Sequence, residues 1–416
     1  MDDLSGRFER TIASLRLRID ELSSLRARVG LPPQRDITRR QWSVLELQLA
    51  AVEQRLTTRL RRATAGYQGS GRDVRDARRL NAALGGIELA LSRTFAFFDT
   101  YMDVLTQRHT PGLGSVLKGC DVLAWAAMRR DHPALRLIEP PLVFCDRGFG
   151  ASIIRESVSM PDGTPNPMPL IQIPYSRLRE KPNLTSILHE AGHQALAHLG
   201  LTRVLPRVLS GALSRAGASR TLADLFGLWS SEIGPDFWTF CGAGLAAAGG
   251  IKEVLALPPD HVFKVSWTDP HPPPYLRVLL AFECCRRQWG RGPWDRWQRE
   301  WMELYPVDSA PPEARTILNE GLRFLPLLSS ALLFTRFRTL NGRRISDLWD
   351  LRSLAPDALN RIVESARSGC LSLTGLSPCG HLAVFRVLKQ RDALSEEALD
   401  ALMSRWLIRL GERRPN

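Results

Sequence analysis

Apolar residues in the first hundred positions recur at spacings of three and four, the period of a helix with one buried face. Leu4, Phe8, Ile12, Leu15, Ile19, Leu22, Leu25 and Val29 form the first such stripe, and Gly30 followed by Pro32 and Pro33 ends it. Trp42, Leu45, Leu49, Val52, Leu56 and Leu60 form the second, which is expected to break at Gly66 to Gly71. Leu80, Leu84, Ile87, Leu91, Phe95 and Phe98 form the third. Narrow stripes flanked by Arg and Glu suit an antiparallel helical bundle, and they would serve equally for coiled-coil pairing with another chain or self-association.

The pattern changes after Pro111-Gly112. A helical stretch near Val116 to Arg130 gives way to three short runs bounded by Pro and Gly: Leu142 to Cys145, Ala151 to Val158, and Pro169 to Pro174. Their β-branched content and turn boundaries predict strands, and so a small sheet. From Pro311 helical periodicity returns around Ile317 to Phe334, Leu348 to Val363 and Leu394 to Leu410. The expected fold class is α+β and predominantly helical. Three regions follow: a helical one over 1–110, a mixed one over 111–310 and a helical one over 311–416.

With 416 residues, 44% of them hydrophobic, the chain can bury a large core. Acid at Asp2 and Asp3 does not suit a secretory signal, and the longest apolar stretches, Cys241 to Ile251 and Phe324 to Thr335, are shorter than a bilayer requires. Seven cysteines without a paired framework fit a reducing compartment, so a cytoplasmic protein with no membrane partner is expected. The formal charge of +13 comes almost wholly from Arg. These arginines alternate with acids along helix faces and do not interleave with aromatics, so no nucleic-acid partner is expected.

Chemistry concentrates in Asn183 to Leu199, which reads as one helix capped by Asn183. His189 and His193 are four residues apart, so their imidazoles point the same way, roughly 40° apart about the axis, and can share one metal. Glu190 projects beside them, where it can reach a water on that metal without ligating it. Zinc suits two imidazoles, lowers the pKa of a bound water towards about 7, and leaves its proton for the carboxylate. An ordinary helix would have to satisfy two histidines and a glutamate in an apolar setting by hydrogen bonds alone.

A metzincin would carry a third His where this chain has Leu199. His198 faces about 140° away from His193 on the helix. Downstream, Glu232 and Asp236 stand four apart on a second expected helix, with Pro235 tolerable if Ser230 or Ser231 caps it. In this the chain resembles the gluzincins, a family of zinc metallopeptidases, over roughly Val116 to Arg286. The resemblance implies a zincin-like core, zinc held by His189, His193 and Glu232, Asp236 bonded to a ligand His, and Glu190 as general base. Asp224 is the rival third ligand. The segment Asp269 to Arg277 resembles the His-Pro segment of such enzymes; there His271 or Tyr275 would donate to the oxyanion and Arg277 would brace a carboxylate. The run Ile171, Gln172, Ile173 fits the edge strand on which gluzincins align a peptide, although a core strand would read the same way. The 39 residues between His193 and Glu232 leave room for an inserted helix around Leu205 to Ser214.

The expected activity is zinc-dependent hydrolysis of peptide bonds, with a peptide or protein as substrate. A binding or regulatory protein on a zincin-like scaffold, its metal structural and its helical flanks in use, is the alternative; a helical adaptor with a fortuitous motif is a third. Cys370, Cys379 and His381 match no common zinc spacing, and Trp294, Trp297 and Trp301 follow helical spacing, as packing residues do.

Overall fold

The computed structural model describes residues 2–68, 74–148, 150–160, 163–367 and 371–412. The fold is α+β and predominantly helical. The three N-terminal stripes become helices α1 (Asp2–Asp20), α2 (Arg39–Gln68) and α3 (Val74–Thr106). The first helix gives way after Asp20 to a tight 3-10 turn, resumes over Leu25–Val29, and stops where Gly30 takes up the left-handed conformation that a glycine adopts without strain. The second runs on through Gly66 to Gln68, where a break was expected; residues 69–71 of that expected break lie outside the described residues. Most stripe residues, from Leu15 and Leu22 to Trp42, Leu45, Ile87 and Leu91, are buried against one another, so the stripes serve as a bundle core.

This bundle rests on the sheet. Helix α4 (Pro111–Met128) leads into β1 (Leu142–Asp146), β2 (Ser152–Ile154) and β3 (Leu170–Pro174), arranged in the order β1-β3-β2. β1 runs parallel to β3, with Val143 opposite Ile171, and β2 runs antiparallel to it, with Ile153 opposite Ile171. Alternation along the strands separates two cores. Leu142, Phe144 and Leu170 join the bundle, while Val143, Ile171 and Ile173 face the larger helical core. A buried ion pair ties these parts together: Arg108 donates twice to Asp121 on α4, at 2.8 and 3.0 Å, and once to the Val143 carbonyl of β1, at 3.0 Å.

The larger core continues through α5 (Thr185–His198), α6 (Leu205–Arg215), α7 (Arg220–Ala243), α8 (Leu245–Val254), α9 (Pro274–Trp289), α10 (Pro293–Leu304) and α11 (Pro312–Phe334). It extends into α12 (Pro356–Arg367), α13 (Pro378–Gln390) and α14 (Glu396–Glu412), so that Leu117 and Leu407 belong to one cluster. α14 returns to α4 at very close range, since a Cβ on Gly119 would lie 2.1 Å from the Leu407 carbonyl oxygen. Of the stretch expected as helix from Leu348, Leu348 ends a 3-10 turn, Trp349 to Ala355 form bends and turns, and the α-helix begins at Pro356. The expected inserted helix is α6, and the Trp294, Trp297 and Trp301 face of α10 is buried as packing.

One of the two apolar stretches expected to be too short for a bilayer, Phe324 to Thr335, forms the end of the 23-residue α11 and its C-cap, and among the described residues α11 is the one helix long and apolar enough to cross a membrane. Leu318, Leu325, Leu328 and Leu332 on it are buried in the larger core.

Candidate metal centre

Helix α5 begins two residues later than the sequence suggests. Asn183 ends a preceding 3-10 turn instead of capping the helix, and its Oδ1 accepts from Arg386 at 2.6 Å. The buried Arg386 guanidinium competes more strongly for that oxygen than a backbone N–H does. His189, Glu190 and His193 face a cavity of about 860 Å³. One ligand atom from each lies within 4.8 Å of the others, an arrangement that could hold a metal ion.

Helix α7 supplies the opposite wall. It starts at Ser219, whose hydroxyl accepts from the Leu222 N–H, and therefore neither Ser230 nor Ser231 caps it. Pro235 lies in the helix interior, where its missing N–H removes a backbone bond. The two helices nevertheless meet closely at this point. A Cβ on Gly192 would lie 3.0 Å from the Pro235 Cα, and one on Gly234 would lie 2.9 Å from Leu196 and Leu205. Small residues on both helices let the backbones approach, and Glu232 thereby reaches the imidazoles.

Glu232 places its Oε2 3.1 Å from His189 Nε2 and its Oε1 3.6 Å from His193 Nε2. Asp236, one turn later, lies 2.8 Å from the other nitrogen of His189, Nδ1. Arg277 on α9 holds Asp236 with two bonds, of 2.6 and 2.8 Å, and its Nη2 lies 3.8 Å from Glu232. Asp224, the rival ligand, is exposed near Arg220. His198 is occupied with Gln194 at 2.8 Å.

The charges fit a cation. Three carboxylates, Glu190, Glu232 and Asp236, lie near the Arg277 guanidinium, and Arg155 and Arg177 also line the cavity. Burial disfavours a charged His189, yet Asp236 first, and then Glu232 and Glu190, outweigh that and raise its pKa to about 10. Burial together with the neighbouring His189 lowers His193 to about 4, leaving it in the neutral form that ligates metals. Burial would raise Glu232, but the imidazoles and Arg277 bring it down to about 2, and Arg277 and His189 hold Asp236 well below the usual carboxylate range. Glu190 moves the other way: buried to 6% exposure, it is raised chiefly by desolvation. It is thus the most basic of the three carboxylates.

Two expectations change. β3, carrying Ile171, Gln172 and Ile173, is the central strand and not an edge, because both of its sides are hydrogen-bonded. The edge strand beside the cavity is β2, whose Ser152 and Ile153 line it together with Arg155 just beyond. Strand order depends on pairings distant in sequence, and nothing in the two runs themselves distinguishes centre from edge. Tyr275 does not line the cavity. Its ring packs 5.4 Å from that of Phe263 and is 1% exposed, with burial pushing its hydroxyl up to about 12. His271 does line it: Nε2 lies 3.5 Å from Glu232, and Asp269 holds Nδ1 at 2.6 Å.

Away from this site, Cys370 lies outside the described residues, Cys379 is buried, and the two ring nitrogens of His381 lie 3.1 Å from the Leu373 carbonyl and 2.8 Å from the Trp406 indole N–H. Among the described residues the only cluster suited to a metal is that of His189, Glu190 and His193. Comparison with protein-family models, curated proteins and solved structures finds no match to the chain.

Proposed function

We propose that the protein is a zinc-dependent hydrolase that cleaves peptide bonds. The observation that carries this is the convergence of His189 Nε2 and His193 Nε2 on the two oxygens of Glu232, with Asp236 behind His189, over an open cavity. Two imidazoles and a carboxylate form the donor set of a catalytic zinc site, which leaves a coordination position for water or substrate. When bound there, zinc supplies Lewis-acid polarisation and a lowered pKa for water.

The chain's own groups do the rest. Asp236, fixed by Arg277, orients His189 and makes its Nε2 a better donor. Glu190, desolvated and raised, takes the proton from the attacking water and passes it to the leaving amine. His271, held by Asp269 at the cavity mouth, donates to the developing oxyanion. The outer edge of β2 offers backbone N–H and C=O groups to an extended peptide, and Phe237, Phe240 and Ala247 provide an apolar wall for a side chain.

Zinc content and cleavage of a mixed-sequence peptide library test the reading together. Wild-type protein is expected to bind one zinc and to cleave. Glu190→Gln is expected to keep the zinc and lose about 10²- to 10⁴-fold in rate, the usual share of a general base. Full cleavage by Glu190→Gln would remove Glu190 from its role, and protein without zinc or cleavage would end the proposal.

A further inference from the structure

Two cations lining the cavity, Arg155 and Arg177, have no use in the chemistry above, and of these Arg177 is the buried one. Arg177 sits in the 3-10 turn Tyr175–Leu178 that follows β3, is 5% exposed, and lines the same cavity as His189. Its Nε is buried without a hydrogen-bond partner, and its ion pair, 3.4 Å to Glu180, is to a carboxylate that is itself 61% exposed. Arg108 and Arg386, which are also buried, likewise leave Nε without a partner, but their other nitrogens are better held. Arg108 is clasped by Asp121, and Arg386 by Glu253, Asn183 and the Pro182 carbonyl. A guanidinium removed from water with so little compensation is costly unless something else pairs with it. Its pKa is indeed lowered, chiefly by that burial.

A second orphan lines the same cavity. The Ser186 Oγ is buried and without a partner. Ser186 stands in the first turn of α5, a 14-residue helix with no side-chain cap, so the positive end of the helix dipole lies there too. Ser186 also precedes His189 by three residues, about 4.5 Å along the axis, which keeps the two on neighbouring positions of one face.

We propose that Arg177, Ser186 and the uncapped N-terminus of α5 form a subsite for a single carboxylate, one or two residues along a bound peptide from the candidate metal. As a role in substrate choice this rests on the hydrolase reading above, and it names the substrate class: peptides presenting a free C-terminal carboxylate or an acidic side chain at that distance. A monoanion is matched to one guanidinium already in weak contact with Glu180, and a planar carboxylate suits the guanidinium fork.

Calorimetric titration of the purified protein with three small ligands tests the subsite without turnover. N-acetyl-leucine carries an α-carboxylate, N-acetyl-leucinamide carries none, and N-acetyl-glutamic acid α-amide carries only a side-chain carboxylate. One of the two acids is expected to bind at least about tenfold tighter than the leucinamide, the scale of one charge-assisted contact, and which acid wins tells C-terminus from side chain. Arg177→Gln should erase that preference, Arg177→Lys should keep part of it, and Ser186→Ala should reduce it several-fold. Should Arg177→Gln fail to fold, as judged by circular dichroism, Ser186→Ala and Arg177→Lys carry the test. Equal affinity for acids and amide, no binding of any ligand, or a preference untouched by these substitutions would overturn the subsite. The peptide library separates the two claims. Cleavage indifferent to carboxylates sinks the subsite alone, whereas a carboxylate preference without cleavage sinks the hydrolase reading alone.

Discussion

Asp236 never touches the cavity's chemistry directly, yet it sets the charge and orientation of His189 through a 2.8 Å contact with Nδ1. Asp236→Asn keeps the shape but removes the charge, and its expected effect is a loss of about 10- to 100-fold in metal affinity, measured by competition with a chelator. An unchanged affinity would show that Arg277 alone positions the pair. Tyr275 provides the contrast. Because its ring packs against Phe263 outside the cavity, Tyr275→Phe should leave cleavage rates within about twofold of wild type, as a conservative change away from the reacting atoms does. At this scale the shared face of His189, Glu190 and His193 was legible in the sequence, because helical spacing fixes which side chains lie together; Glu232, Asp236, His271 and Arg277 were expected from the gluzincin resemblance, and their nearness to that face depends on how separate segments dock. The place of Tyr275 outside the cavity and of Arg177 within it was not legible, since the aim of a residue beyond a turn depends on how the flanking elements dock.

At the scale of elements, the site is a contact between two helices. Gly192 on α5 meets Pro235 on α7, and the missing Cβ allows the approach that brings Glu232 to the imidazoles. Gly192→Val should therefore push the helices apart, costing about 1–3 kcal/mol of stability as overpacking does, and should weaken metal binding along with it. Chemical denaturation and zinc titration on the same variant check both, and stability lost with metal affinity intact would break the link. Helix existence was readable from periodicity almost throughout, but the boundaries were set by competition. Ser219 starts α7 well before Ser230, and Arg386, 203 residues further along the chain, takes the Asn183 side chain that a local reading assigned to a cap. The interior Pro235 survives because the burial of α7 on both sides of it outweighs one lost backbone bond.

For the whole molecule, the sheet is the seam between the N-terminal bundle and the larger core, and the Arg108–Asp121 pair crosses it. Both side chains are fully buried. Arg108→Met takes the guanidinium away from the fully buried Asp121 carboxylate, which also accepts from the Val143 N–H, and an expected loss of about 3–5 kcal/mol in denaturant unfolding follows. A loss below about 1 kcal/mol would mean the seam is held by packing alone.

Local periodicity was sufficient for most of the helices and for the His-Glu-x-x-His face, and β-branched content with turn boundaries for the presence of three strands, because these depend on neighbours within a few residues. The order of the strands, and with it the transfer of the edge from Ile171–Ile173 to Ser152–Ile154, was decided only in three dimensions. So were the closeness of α5 to α7 and the arrival of Arg177 in the cavity. Each of these depends on groups far apart in the chain, whose meeting is set by the packing of the whole core and not by the pattern of any one segment.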